Sequence, residues 1–211
     1  RTDFFGFTKD FEVLHCILRR YRNTRESTSE ATLLEIGTND GYGLVVIDRA
    51  LRGRRDSNRA EVTAHGGVEG GWRLLTLDLP QCSDSDGDTA SKSVCVKGNF
   101  AERSVNVGKR ARDDAVPYLQ LWGDSLAYNF TPHGEIEVWW IDGAHDYRHV
   151  YAETEAAIRA GGRLIAYHDA HIAGVLSGAR DALGAAQEQG AVFSMHFVFD
   201  TRVAYAIRQS G

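Results

Sequence analysis

The stretch Thr32-Leu33-Leu34-Glu35-Ile36-Gly37-Thr38-Asn39-Asp40-Gly41-Tyr42-Gly43 decides the fold. Thr32 to Ile36 is a short apolar run of the kind a buried strand takes, and Gly37, Gly41 and Gly43 break it. From Leu44 to Leu51 the apolar residues resume at helical spacing. Strand, glycine turn and helix in that order form the first unit of a sheet whose strands run parallel and alternate with helices.

Upstream, the segment 1–30 reads as an N-terminal helical region, with Val13, Leu14, Ile17, Leu18 and Tyr21 following Asp10 on one face. Downstream, strands are expected at Arg73–Asp78, Pro117–Trp122, Ile136–Ile141 and Arg163–Tyr167. Weaker helical patterning covers 99–114, and a clear stripe of Val150, Tyr151, Thr154, Ala157 and Ile158 ends at Gly161-Gly162. After a helix over Leu176–Gln189, Val192–Phe199 and Val203–Arg208 flank a polar turn and read as an antiparallel pair. Residues 52–71 and 81–93 lack a period and are expected to be surface loops. The whole describes one α/β domain over 1–211, with seven strands, a mainly parallel sheet, a C-terminal antiparallel strand pair and helices on both faces.

Bulk properties narrow the function. A length of 211 residues with 43% hydrophobic and 25% charged residues suits a soluble globular domain. A net charge of -5 argues against a protein that grips nucleic acid, and acidic residues interrupt or follow the basic runs at 52–55 and 109–112. No apolar run approaches the roughly 18 residues of a membrane span. Cys16, Cys82 and Cys95 form no Cys-x-x-Cys pair, which suits a reducing compartment, with the cytoplasm as the default location. A homo-oligomer is compatible with the sequence, which encodes no stoichiometry.

In open α/β sheets, ligands bind beyond the carboxyl ends of the strands, and five such ends carry polar residues here. The first is the loop Glu35, Gly37, Thr38, Asn39, Asp40 and Gly41, whose glycines allow a backbone to approach a ligand closely. Glu35 and Asp40 would repel a pyrophosphate, and no Lys or Arg lies in the loop. A ligand with an amino-acid end and a sulfonium suits these carboxylates and the following helix N-terminus. Asp78 can accept both hydroxyls of a ribose, and Asp124 and Ser125 can meet a nucleoside base.

The richest stretches are Ile141-Asp142-Gly143-Ala144-His145-Asp146-Tyr147 and Ala166-Tyr167-His168-Asp169-Ala170-His171. Asp142, His168 and Asp169 form a candidate cation site; the histidine opens Mn²⁺ or Fe²⁺ beside the oxygen-seeking Mg²⁺. His145, one turn from Asp142, is a candidate general base. Trp139-Trp140 reads as sheet packing.

Taken together, these motifs resemble the class I S-adenosylmethionine-dependent methyltransferases. Asp142-Gly143-x-His145, then a helix, Gly161-Gly162 and Tyr167-His168-Asp169, look like the small-molecule branch, which includes the macrocin and other sugar O-methyltransferases. The resemblance implies a Rossmann-like fold, S-adenosylmethionine as cofactor and a small-molecule hydroxyl as methyl acceptor. It implies Mg²⁺ or Mn²⁺ at Asp142, His168 and Asp169, His145 as base, and Asp142 both at the catalytic centre and along the cofactor. This chain departs from the pattern at His168, where metal-dependent members carry an acid. Two other readings stand beside this one. The first is a non-haem metal enzyme drawing on His145, His168, His171, Asp142 and Asp169, and the second is a module that binds S-adenosylmethionine without catalysis.

Overall fold

The computed structural model describes residues 4–25, 30–52, 67–68, 71–79 and 106–209. Helix α1 spans Phe4–Thr24, strand β1 Ala31–Ile36 and helix α2 Tyr42–Arg52. Strands β2 (Gly67–Val68), β3 (Trp72–Asp78) and β4 (Leu119–Trp122) follow, with the short helix α3 (Lys109–Asp113) before β4. Then come β5 (Val138–Ile141), α4 (Tyr147–Arg159), β6 (Leu164–Tyr167), α5 (Ala173–Glu188), β7 (Phe193–Phe197) and β8 (Ala204–Arg208).

All seven expected strands are present, and the two residues of β2 add an eighth within a stretch read as loop. The order is β2-β3-β1-β5-β6-β8-β7, with β4 also pairing β3. β4, β3, β1, β5 and β6 run parallel, so five carboxyl ends line one edge; β8 is antiparallel to both β6 and β7. The expected loop over 81–93, most of the loop expected over 52–71 and the first part of the helix expected over 99–114 lie outside the described residues.

Alternation along the strands builds two cores, because successive side chains leave a strand on opposite faces. Leu33, Leu74, Trp140 and Leu164 join Phe11, Leu14, Leu18, Leu44 and Ile47 of α1 and α2 on one face. Leu34, Leu75, Trp139 and Ile165 meet Val150, Ala157, Val175 and Ala179 of α4 and α5 on the other. The adjacent tryptophans are thus core residues of opposite faces, each no more than 1% exposed. Among the described residues, no helix is long and apolar enough to cross a membrane.

Of the buried acids among the described residues, Asp10 and Glu153 interrupt this packing on opposite faces of the sheet. Asp10 of α1 is 2% exposed, and its carboxylate accepts from the backbone N–H of Arg202 at 2.9 Å and from Arg202 Nε at 2.7 Å. His168 Nε2 lies 3.3 Å from the same group. Glu153 of α4 is fully buried and accepts from the Ser125 hydroxyl at 2.6 Å. Removing one partner of a buried ionic cluster leaves the others desolvated and uncompensated. Asp10→Ala should therefore lower the unfolding free energy by about 3–5 kcal/mol in urea titrations. Burial pushes the Glu153 carboxyl up to about 7, so the folded chain holds this proton more tightly than the unfolded one. Its contribution to stability is full below the ordinary carboxyl range and is lost as pH rises through about 7. Between pH 5 and 8 the wild-type chain should lose up to about 3 kcal/mol that Glu153→Gln does not, read from paired denaturation curves.

Candidate active site

The edge formed by the parallel strand ends gathers the acids, histidines and loop residues that the sequence offers as a candidate site. At β1 the chain leaves the sheet through Gly37, at φ 94°, while its N–H bonds to Leu77 O at 2.9 Å. A Cβ on Gly37 would stand 2.2 Å from the carbonyl oxygen of Asp142, so only glycine lets the two strand ends approach so closely. The loop is then fixed by its own polar groups. Thr38 and Thr76 share a 2.7 Å hydroxyl contact, Gln120 Nε2 donates to Thr38 at 3.1 Å, and Asn39 N–H donates to Asp78 Oδ2 at 3.2 Å. The other oxygen of Asp78 accepts from Leu79 N–H at 2.8 Å. That carboxylate is held at the end of β3, as a ribose-binding acid requires.

The two acids of the loop are placed differently. Glu35 is 2% exposed and accepts from Thr76 Oγ1 at 3.2 Å. Burial raises its pKa well above the usual value, and the nearby Asp142, Asp78 and Asp40 push in the same direction. Asp40 instead accepts from Tyr42 N–H at 3.1 Å and pairs with Arg110 of α3 at 2.8 Å. The loop itself contains no base, yet α3 brings a guanidinium to its rim. The convergence of carboxylates at Glu35, Asp78 and Asp142 still favours a ligand with positive charge.

Asp124 and Ser125 lie just past β4, where Gly123 N–H bonds to Asp78 O at 3.0 Å. Asp124 accepts from Leu126 N–H at 3.0 Å, and Ser125 turns to Glu153.

The centre of the site is a cluster at the ends of β5 and β6. Asp142, His145, His168 and Asp169 each offer a donor atom within 4.8 Å of the others. His168 is 2% exposed, its ring stacked on Phe11 with centroids 6.1 Å apart. Its Nδ1 lies 2.9 Å from Asp142 and 3.4 Å from Asp169. Burial works against charging this ring, but the hydrogen bonds to Asp142 and Asp169 outweigh it and lift the pKa to about 10. Asp169 has φ 50°, a left-handed conformation that aspartate tolerates better than most residues, and it also meets Arg202 at 3.3 Å. Burial alone would raise its pKa; the His168 and Arg202 charges bring it below the usual value.

His145 is the most open member, its side chain 40% exposed, with Nε2 3.4 Å from Asp169 and 3.8 Å from Asp142. Asp142 chiefly raises its pKa. The histidine is placed by the turn before α4, where Asp146 caps the helix by accepting from His149 N–H at 3.1 Å. Gly174 lets α5 lean on this turn, since a Cβ there would sit 2.8 Å from His145 O. His171, exposed, reaches within 3.7 Å of Asp169.

Asp10 and Arg202 complete the cluster, and sequence reasoning missed both. The signal for Asp10 was its phase: it falls on the same helical face as Leu14, Ile17 and Tyr21, where a carboxylate needs a buried partner. Arg202 had no comparable signal, lying in a polar turn between strands.

A metal-ligating imidazole usually binds through one nitrogen and donates the other N–H to a carboxylate. His168 has that disposition, with Nδ1 toward Asp142 and Asp169 and Nε2 against Asp10. Two imidazoles and two carboxylates could together hold a divalent cation, and nitrogen donors suit Mn²⁺ or Fe²⁺ better than Mg²⁺.

No protein-family model matches the chain, and no curated protein sequence does. Solved structures do. The apo form of CalS11, a TDP-rhamnose 3'-O-methyltransferase of calicheamicin biosynthesis, gives a TM-score of 0.58 at 14% identity, covering 97% of this chain and 80% of that one. An O-methyltransferase from Bacillus cereus in complex with SAH gives 0.56 at 15% identity over 95% and 81%. Cofactor-bound Rv0187 from MTB gives 0.58 at 16% identity over 96% and 81%. At these identities the likeness is one of fold, and the chain has the Rossmann-like class I methyltransferase fold that these proteins represent.

Proposed function

We propose that this chain is a methyltransferase that moves the methyl group of S-adenosylmethionine to a hydroxyl of a small molecule. The observation that carries the reading is the juxtaposition, along one sheet edge, of a glycine loop and ribose-type acid with a histidine and acid cluster. In this reading Glu35, Gly37, Thr38, Asn39, Asp40 and Gly41 surround the amino-acid end, and Asp78 accepts from the ribose hydroxyls. Asp124 and Ser125 face the base, while Asp142 borders both the cofactor and the acceptor. The negative charge of Asp40, Asp78 and Asp142, which adds to the burial that raises the Glu35 pKa, supports the choice of a sulfonium over a dinucleotide.

Transfer balances simply. A lone pair of the acceptor oxygen forms the new C–O bond, the C–S bond breaks, and its electron pair neutralises the sulfonium to a thioether. The acceptor's proton passes to His145, which is open to solvent on one side and oriented by Asp142 and Asp169 on the other. Alignment by the rigid strand ends supplies the remainder, and such alignment lowers barriers by roughly 7–11 kcal/mol in favourable cases. Asp142, His168 and Asp169 would hold a divalent cation, Mn²⁺ or Mg²⁺, with His145 beside them; such an ion supplies charge that lowers the pKa of a hydroxyl. An odd number of cysteines with no Cys-x-x-Cys pair also suits the cytoplasm as the place of action.

Calorimetry with S-adenosylhomocysteine tests the cofactor assignment, and absence of heat at millimolar ligand overturns it. His145→Ala should reduce methyl transfer by about 10²–10⁴-fold while the affinity for S-adenosylhomocysteine stays within a few-fold. Equilibrium dialysis against Mn²⁺ should show one ion per chain. Asp10→Asn, which keeps the size of the side chain but removes the charge that faces His168 Nε2 and Arg202, should weaken that binding by about 10–100-fold. If the chain takes up no ion, its own hydrogen bonds close the cluster.

A further inference from the structure

The buried carboxylate of Glu153 is not accounted for by methyl transfer. It projects from α4 toward the sheet edge and lies behind Gly143, where an added Cβ would come within 3.6 Å of Oε1. Oε1 takes the Ser125 hydroxyl hydrogen at 2.6 Å, while Oε2 is buried with no hydrogen-bond partner among the described residues. An acid is a costly group to bury for one hydrogen bond, when a serine in a loop could turn to water instead.

The chemistry of the pair suggests what is gained. A serine hydroxyl has one hydrogen and two lone pairs, and ordinarily rotates to donate or accept as its neighbour demands. A carboxylate is an acceptor only, so it commits the Ser125 hydrogen inward. Ser125 is itself half-buried, so the oxygen it turns to the nucleoside side carries lone pairs alone. Asp124 beside it is likewise an acceptor, steadied by Leu126 N–H. An acceptor set opposite the 6-position of a purine takes an N–H donor there and leaves a carbonyl oxygen facing lone pairs.

We propose that Glu153 is a positioning residue for base selectivity, fixing Ser125 as an acceptor so that a 6-amino purine is taken and a 6-oxo purine refused. This rests on the reading above, which puts a nucleoside across Asp78 and Ser125. At pH 8 Glu153 is charged, since burial lifts it only to about 7.

The test is the ratio of dissociation constants for S-inosyl-L-homocysteine and S-adenosyl-L-homocysteine, measured by calorimetry on the full chain at pH 8. The wild-type ratio should be about 10–100. Glu153→Leu frees the hydroxyl to rotate, and its ratio should fall toward 1. Glu153→Gln still offers Ser125 a carbonyl acceptor and should keep the wild-type ratio, whereas a merely structural role would weaken both ligands together and leave the ratio unchanged in the Leu variant as well. Ser125→Ala, at a half-buried loop position, should also lower the ratio and serves should Glu153→Leu not fold. A wild-type ratio near 1, or an unchanged ratio in Ser125→Ala, overturns the proposal while leaving the methyltransferase reading intact. Equal loss of selectivity in the Gln and Leu variants overturns it as well. Failure of the wild-type chain to bind S-adenosylhomocysteine at all overturns both.

Discussion

The close approach of two backbones at the carboxyl ends of β1 and β5 is the constraint on which the site depends. Asp142 N–H bonds to Ile36 O at 2.9 Å, continuing the ladder one step beyond the strands, and Gly37 then turns away with no side chain between them. The glycine loop and the Asp142 cluster are therefore parts of one rigid edge and not two loops that happen to meet. A methyl donor held by the first and an acceptor held by the second would be aligned by the sheet itself, at little cost in ordering.

The cluster around His168 is an exchange of charge among elements far apart in sequence. Asp10 comes from the first helix, Asp142 and His145 follow β5, His168 and Asp169 follow β6, and Arg202 precedes β8. Three carboxylates face one guanidinium and two imidazoles, so the group carries no net charge when His145 and His168 are charged. Such a group satisfies its own hydrogen bonds, which is why it tolerates burial beside Phe11 and Trp140. It also leaves His145, at its open side, as the member free to exchange protons with solvent.

Much of this was legible in the sequence because it follows from local rules. The apolar run before Gly37, the alternation of Trp139 and Trp140, and the Gly161-Gly162 helix stop each have a short-range cause. The strand-end acids and histidines were legible for the same reason, since a polar residue after an apolar run marks the edge where ligands bind. What stayed hidden depends on tertiary contact. The pairing of Arg110 with Asp40 changes the charge of a loop that contains no base, and nothing in the spacing of α3 announces it. Glu153 is in phase with the buried stripe of α4, yet only its bond to Ser125 separates it from an ordinary surface acid. The two residues of β2 are too few to leave a period.

The span of the Asp10–Arg202 pair has a consequence for biosynthesis. The partners are 192 positions apart, so the contact cannot form until nearly the whole chain described here has left the ribosome. Until then α1 carries a carboxylate on its apolar face without its guanidinium, and docking it against Trp140 would bury that charge short of its strongest partner. Helix α1 is thus among the last of the described elements able to settle, and a chain released short of Arg202 would present an unfinished surface to the cell's proteases.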